Sequence, residues 1–368
     1  MTQIRITSLN VRGINNDVKR KDVLEYLTRL GSNIYCLQDI HCSEKQQVDF
    51  KKDWDGEMII SCGTNYARGV AILFKRNFEF QILEIKQHIL GNYVALKIKM
   101  IDTEVTLISL YGPNVDDPNF YNNITEIIDE FQTPTIIICG DWNLVQNQTL
   151  DTKFYLRNNN IKAREKVNTI KEQYDLCDPW RICNPQKRQY TWFQSNPKKM
   201  SRLDFYLVSG DIMTLTSKTD IKPGYRSDHS IINLTLTICN DVRGKGFWKL
   251  NTSLLRDPDY IRLIKQTIKD NIERYAIPDQ DITDPDVMFT ITDQLFFETL
   301  KMEIRQSTIP FASRKKKEKE RKENNLVKEI EEIETNINDT DNPNITERLA
   351  QLKSELEKIR LQEIKVSF

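Results

Sequence analysis

The sequence predicts an α/β fold: a four-layered α/β sandwich of two mixed β-sheets flanked by helices, followed by a helical C-terminal extension. Three observations predict it. Residues 1–238 carry many short apolar runs bounded by Gly, Asn, Asp and Pro, the punctuation of strands. A few stretches with helical spacing interleave with them, as in layered α/β architectures. Beyond residue 238 the pattern changes to amphipathic helices and dense charge.

The strands are read in order as "IRITSL", "IYCLQ", "GVAILF", "YVALKIKM", "VTLISLY", "TIIIC", "YTWF", "LDFYLV" and "IINLTLTI". "DVKRKDVLEYLTRLG" places Val18, Leu24, Leu27 and Leu30 near helical spacing and stops on Gly31. "NFYNNITEIIDEF" and "KAREKVNTIKEQYDL" are the second and third helices. Residues 239–313 read as a helical linker. It holds "DPDYIRLIKQTIKDNIERYA" and "DVMFTITDQLFFETLKMEIRQ", separated by the Pro/Asp-rich "IPDQDITDPD". Residues 314–368 read as a charged helical hairpin or coiled coil. Leu326, Ile330, Ile333 and Ile337 form one apolar stripe, and Ile345, Leu349, Leu352, Leu356 and Ile359 a second. Paired within the chain they give an antiparallel hairpin. Paired between chains, residues 326–359 give self-association.

Bulk properties exclude several classes. Lysine plus arginine equal aspartate plus glutamate at 53 each, so no global field attracts nucleic acid, and any such site is a local basic patch. The seven cysteines lack C-x-x-C spacing, and Cys36 and Cys139 sit inside apolar runs. They read as small buried hydrophobes in a reducing compartment. No run reaches the ~18 apolar residues of a membrane span, and "MTQIRITSLNVRG" lacks a signal-peptide core. A soluble intracellular chain is expected, with no membrane partner.

Polar residues gather where the strands end. "TIIICGDWNLV" halts on Gly140 and sets Asp141 and Asn143 two apart, on one side if the strand continues. Asn10 follows the first strand, Asp39 the second, and Tyr111 and Asn114 a later one. Asp204 opens a strand, and Asp228 and His229 precede the last. Each alone is an ordinary turn or cap residue. Together they suit a divalent metal and a phosphodiester. Mg²⁺ takes hard oxygen ligands, which Asp39 and Asp228 supply, with Asn10 adding a neutral oxygen. Asp141 can orient and deprotonate a water. Asn143, Tyr111 and a protonated His229 can donate hydrogen bonds to developing charge. Asp204 can fix the tautomer and charge of His229.

The ordered set "SLNVRGI", "CLQDIH", "GVAILF", "LYGPN", "GDWN", "YTWF", "RLDFYLVS" and "SDHS" resembles the endonuclease/exonuclease/phosphatase superfamily. Within it, the chain is similar to the apurinic-endonuclease-like endonuclease domain of LINE-type (non-LTR) retrotransposons. The resemblance spans nearly all of residues 1–238. It implies Mg²⁺-dependent nicking of double-stranded DNA, with Mn²⁺ as a substitute, leaving 3′-OH and 5′-phosphate ends. It places Asn10, Asp39 and Asp228 on the metal side, and Tyr111 and Asn114 beside the phosphate. Asp141 and Asn143 handle the nucleophile and transition state, with Asp204 supporting His229. "GFWKLNTSLL" resembles the segment that comes after the nuclease in such elements, so a reverse transcriptase or retroelement ribonucleoprotein is an implied partner, in cis or in trans. The substrate implies a nuclear location. Two departures stand out. Asp39 occupies the place of the family's usual glutamate, one methylene shorter. Arg12 stands where repair enzymes often carry an acid; it can contact phosphate but offers no oxygen to a metal.

Residues 186–202, "QKRQYTWFQSNPKKMSR", read as a basic hairpin with five cationic residues and no acid. Lys187, Arg188, Lys198, Lys199 and Arg202, together with Arg12, Asn114 and the hydroxyl of Thr191, are candidate DNA contacts. Tyr190 and Trp192 are assigned to the core. The competing readings are an abasic-site repair endonuclease or 3′-exonuclease, and a catalytically weak DNA-binding module that the Asp39 departure would produce.

Overall fold

The computed structural model describes residues 2–100, 103–155, 160–238, 250–278, 280–281, 287–336 and 343–365. Cys239, the "GFWK" start of the 246–255 block and Ile337 lie outside them. Two compact units emerge. The first holds residues 1–242 and 331–361, the second residues 243–330 and 362–368.

The strands of the first unit are β1 (Thr2–Asn10), β2 (Ile34–Gln38), β3 (Gly56–Ser61), β4 (Val70–Lys75), β5 (Gln81–Gln87), β6 (Tyr93–Met100), β7 (Thr103–Tyr111), β8 (Thr135–Asp141), β9 (Thr152–Lys153), β10 (Leu176–Cys177), β11 (Trp192–Gln194), β12 (Lys199–Ser201), β13 (Asp204–Ser209), β14 (Thr216–Lys222) and β15 (Ile231–Ile238). One six-stranded sheet has the order β14-β15-β1-β2-β4-β3, and the other β10-β13-β8-β7-β6-β5. Each is mixed: β1 pairs parallel with β2, β7 parallel with β8, and their other neighbours are antiparallel. Helices flank the pair of sheets, giving the four layers expected.

Strand alternation explains the layering. Ile4, Ile6 and Cys36 from the first sheet meet Leu96, Leu107 and Ile137 from the second in one buried cluster. Burying each such aliphatic side chain contributes about 1.5–3 kcal/mol. The opposite face of the second sheet (Ile108, Ile138, Leu207) packs under helices Pro118–Phe131 and Ile161–Gln173, through Ile124, Ile128 and Val167. Helix Asp17–Leu30 buries Val23, Leu24 and Leu27, and its Leu27 carbonyl accepts from the hydroxyl of Tyr35 on β2. Its Asn16 cap and the left-handed Gly31 set its ends.

Every strand read from the sequence is present. Six others carry no clear sequence signal. Four of them, β3, β5, β10 and β14, are sheet edges. "QILEIKQ" and "TSKTDIK" leave much of their length exposed, so no apolar run announces them. The remaining two, β9 and β12, join β11 in a small three-stranded sheet.

The last helices divide between the units. Within the first unit, Ile333 and Leu349 pack against the buried Tyr190 and Met200. Lys353 pairs with Glu334 at 2.8 Å and lies 4.3 Å from the ring centroid of Phe193. Leu352 and Leu356 are buried. The second stripe is thus used, at least in part, against the strand-rich unit. In the second unit, helix Pro258–Tyr275 is joined to the long helix that begins at Asp293. Tyr260 Oη lies 2.7 Å from Thr308 Oγ1, and its ring packs on Phe311.

The basic hairpin exists as β11–β12, but Arg202 corrects the reading of it. Arg202 is 1 % exposed. It donates to both oxygens of Asp151, at 2.8 and 3.1 Å, and to Asp178 at 2.7 Å. Burial alone would raise the Asp151 pKa, but Arg202 and Arg181 hold it below the usual carboxylate range. A buried, fully paired guanidinium anchors the hairpin and is out of reach of DNA. Arg202→Ala, by leaving two buried carboxylates short of a partner, is expected to destabilise the unit by about 3–5 kcal/mol. Denaturant unfolding of the full chain measures this; a change below ~1 kcal/mol contradicts the buried network.

Candidate active site

Parallel pairing at the centre of each sheet puts the C-terminal ends of β1, β2, β7 and β8 at one end of the sandwich. The antiparallel strands β13 and β15 begin there. Asn10 ends β1, Asp39 follows β2, Tyr111 ends β7 and Asp141 ends β8. Asp204 opens β13 directly opposite Asp141, while His229 just precedes β15 and bridges to Trp192. Gly140 is required in this arrangement: at φ +143° its added Cβ would stand 2.0 Å from the Leu110 carbonyl oxygen of the neighbouring strand.

Two hydrogen bonds join the sheets here. Asn10 Nδ2 donates to Asp141 Oδ2 at 2.8 Å. His229 Nδ1 lies 2.9 Å from Asp204 Oδ2. His229 Nε2 stands 3.8 Å from Asp141 Oδ2, so the imidazole lies between the two carboxylates. Asp141 and Asn143 meet through a turn rather than through strand alternation. Asn143 has φ +50°, and its amide donates back to Asp141 Oδ1 at 3.0 Å. Asn143 Nδ2 donates to the Gly112 carbonyl at 2.8 Å. The side chains of Asn114 and Asn143 lie beside the Tyr111 hydroxyl and oppose the rise in its pKa.

Burial sets the electrostatics. It pushes Asp141 up to about 7 against the pull of His229, with Asp204 adding to the rise and Asn10 and Asn143 opposing it. Burial would lower His229, but Asp204 and Asp141 outweigh it and hold the imidazole up to about 9. Between those values Asp141 is a carboxylate beside an imidazolium. Tyr111 is raised above the usual tyrosine range by burial and by Asp39 and Asp141. It therefore stays protonated, and a donor.

The nearest side-chain ligand atoms of Asp141, Asp204 and His229 lie within 4.8 Å of one another, a spacing that can hold a metal ion. Their hydrogen bonds suit a different use, since His229 Nδ1 is bonded to Asp204 and both Asp141 oxygens accept N–H groups. Hard oxygens with spare capacity lie elsewhere in the same cavity. Asp228 Oδ1 is buried with no hydrogen-bond partner among the described residues. Asp39 Oδ1 accepts the Arg68 amide at 2.9 Å, with His41 Nε2 at 3.1 Å. Asp39, Asp228 and Asn10, whose side-chain oxygen accepts the Arg12 amide at 2.9 Å, line one cavity and carry the hard oxygen atoms that a divalent cation takes. Arg12 reaches Asp228 at 3.3 Å with its side chain two-thirds exposed. The positive group at this position is therefore a guanidinium.

One cavity of about 320 Å³ collects Asn10, Arg12, Asp39, Tyr111, Asn114, Asp141, Asn143, Asp228 and His229. Asp204 lies behind His229, buried. Thr191 is fully buried, and its hydroxyl accepts the Leu203 and Asp204 amides at 3.0 Å each. It shapes the Asp204 corner and does not face a substrate, which corrects its assignment as a DNA contact. Trp192 is the opposite correction: assigned to the core, it is half-buried and lines the cavity with Leu203 and Tyr155. Lys187 and Arg188 are exposed. Lys198 and Lys199 are half-buried, over the rings of Phe154 and Tyr155. Asn160, not singled out from the sequence, lines the cavity and donates to the Asn143 carbonyl at 2.8 Å. His41 looks in the sequence like one of three scattered histidines; its place two residues after Asp39 is the available signal.

The His229 value lies above that of a free imidazole, about 6.5. Its charge therefore stabilises the fold below about pH 6.5, and this contribution is lost as pH rises through about 9. With only three histidines in the chain, an imidazole NMR titration can resolve it. The expected midpoint is near 9, falling by about 1–3 units in Asp204→Asn. A midpoint of about 6.5 in the unaltered chain contradicts the pairing.

Comparison with known proteins bears on the family and the fold. Residues 7–229 match the model of the Endonuclease/Exonuclease/phosphatase family. The chain is 24 % identical over 274 residues to the transposon TX1 uncharacterized 149 kDa protein of Xenopus laevis. That match covers 72 % of this chain, which spans about a fifth (20 %) of the relative's length. Among solved structures, AP endonuclease LMAP from Leishmania major shares the fold at a TM-score of 0.55 and 13 % identity, over 64 % of this chain and 87 % of that one. An AP endonuclease from Archaeoglobus fulgidus does so at 0.53 and 17 %, over 64 % and 100 %. With residues 7–229, more than half its length, matched by the family model, this chain belongs to the endonuclease/exonuclease/phosphatase family.

Proposed function

We propose that the chain is a divalent-metal-dependent DNA endonuclease that nicks one strand to leave 3′-OH and 5′-phosphate ends, as in target-site nicking by a retrotransposon. The observation that carries it is the Asp141 corner: a buried carboxylate aligned by Asn10 and Asn143, with a charged His229 held by Asp204 beside it. Asp141, ionised above about pH 7, orients a water and takes its proton. His229, Tyr111 and Asn143 donate hydrogen bonds toward the phosphoryl oxygens as charge develops. Asp39, Asp228 and Asn10 would hold Mg²⁺, which supplies Lewis-acid stabilisation when bound; Mn²⁺ would substitute. Arg12, Asn114, Lys187, Arg188, Lys198 and Lys199 would position double-stranded DNA.

The retroelement reading is supported by the TX1 relative, whose aligned 274 residues run longer than the family match at 7–229. A reverse transcriptase or element ribonucleoprotein is the corresponding partner, and the nucleus the corresponding place of action.

Nicking of supercoiled plasmid by the full chain tests the proposal. We expect activity with Mg²⁺, none with EDTA, and a loss of about 10²–10⁴-fold in Asp141→Ala. The rate should rise with pH through about 7 and fall through about 9, as Asp141 ionises and His229 loses its proton. Intact duplex should be cut at least as well as abasic duplex; a strong abasic preference would favour a repair enzyme. Absence of nicking by folded protein would leave a DNA-binding module. Lys198→Ala with Lys199→Ala should weaken binding and lower the steepness of its salt dependence by about 0.9 for each phosphate no longer neutralised. An unchanged salt slope removes the hairpin tip from the interface.

A further inference from the structure

The C-terminal helix, Pro343–Lys365, lies outside the family match at residues 7–229. It nevertheless ends on the segment that carries His229. Arg360, 2 % exposed, donates from Nη1 to the carbonyls of Pro223 and Gly224 at 3.0 and 3.1 Å. Its guanidinium lies 5.2 Å from the ring centroid of Tyr26, which packs on Tyr225 at 4.8 Å. Taking a guanidinium out of water is costly unless its donors are matched. The tail therefore needs more than apolar packing to end here, and two backbone carbonyls of one short segment supply part of that match.

That segment leads directly to the catalytic corner. An added Cβ on Gly224 would stand 2.0 Å from the His229 carbonyl oxygen. The chain doubles back so closely that moving Gly224 moves His229. Other ties hold the same segment. Arg226 pairs with Asp22, Ser227 Oγ donates to the Asn10 carbonyl at 2.6 Å, and the Ser230 amide donates to the Thr191 carbonyl at 2.6 Å. All of these partners lie within residues 1–238. Arg360 supplies a tie from more than a hundred residues downstream.

We infer that Arg360 is a positioning residue for the reaction, and that the C-terminal helix is a working part of the catalytic unit rather than an appendage. The inference rests on the nuclease reading above. Through Gly224, Arg360 sets the backbone of His229, and so the alignment of its imidazole between Asp204 and Asp141.

The test compares full-length Arg360→Ala and Arg360→Lys with the unaltered chain in the kcat and KM of plasmid nicking and in amide hydrogen exchange over residues 223–230. Displacing a catalytic group from outside the site typically costs up to about a hundredfold. We expect Arg360→Ala to lower kcat by about 10- to 100-fold, beyond any loss of folded fraction, with KM for DNA little changed. Exchange over 223–230 should speed up, and Arg360→Lys should recover part of the rate. A wild-type kcat with unchanged exchange over 223–230 in Arg360→Ala overturns the inference. So does a rate loss that merely tracks unfolded protein in both variants. If the unaltered chain does not nick, the nuclease reading falls. Exchange over 223–230 then decides the brace alone: faster in Arg360→Ala supports it, unchanged overturns it.

Discussion

Everything at the candidate site depends on two sheets ending in register with one another. Each sheet contributes one half of a bonded pair: Asn10 to Asp141, and His229 to Asp204. Neither pair forms within one sheet. The apolar middle brings the layers together, and a few buried polar links fix their alignment. Gln38 donates to Ser109 at 2.9 Å, and the Tyr206 hydroxyl donates to the Ile6 carbonyl at 3.0 Å. Buried polar groups must find partners, so a slip of one sheet over the other would orphan these links and dismantle the site together.

Much of this is legible in the sequence for a simple reason. Central strands are buried on both faces and read as unbroken apolar runs, as "TIIIC" and "AILF" do. The polar residues that interrupt those runs fall at strand ends, which is where the site lies. Edge strands such as "TSKTDIK" are illegible because one face meets solvent. The fate of the hairpin residues is illegible too. Arg202 and Lys199 are alike as letters in a basic stretch, and only Asp151 and Asp178, distant in sequence, make one of them a buried ion. Tyr190 and Trp192 are two apart and would share a face of a continuous strand, yet Tyr190 is buried and Trp192 lines the cavity, because β11 begins only at Trp192. The Asp141–Asn143 pairing is legible as proximity but not in its backbone, because a left-handed residue does not show in its side chain's identity.

The proposed metal side of the cavity combines an aspartate with a permanent cation. Asp39 sits at φ +53°, pulled into place by the Arg68 amide and His41. Arg12, at φ +46°, spans toward Asp228. A guanidinium carries its charge at every accessible pH and offers donors only. Part of the positive charge facing a bound phosphate would thus be built into the chain, which lessens the demand on the number of acidic ligands.

The first unit is not continuous in sequence: its closing piece, residues 331–361, comes after nearly ninety residues that belong to the other unit. During synthesis, the strand-rich part can form its core soon after β15 emerges, since domains fold as units from the N-terminus. Its last stretch arrives only after that long excursion has been made and its ends have been brought together, a step whose entropic cost grows slowly with length. The order of translation therefore separates the assembly of the two sheets from the arrival of the segment that finishes them. A growing chain passes through a stage in which the candidate site is built but the last element of its own unit has not yet left the ribosome.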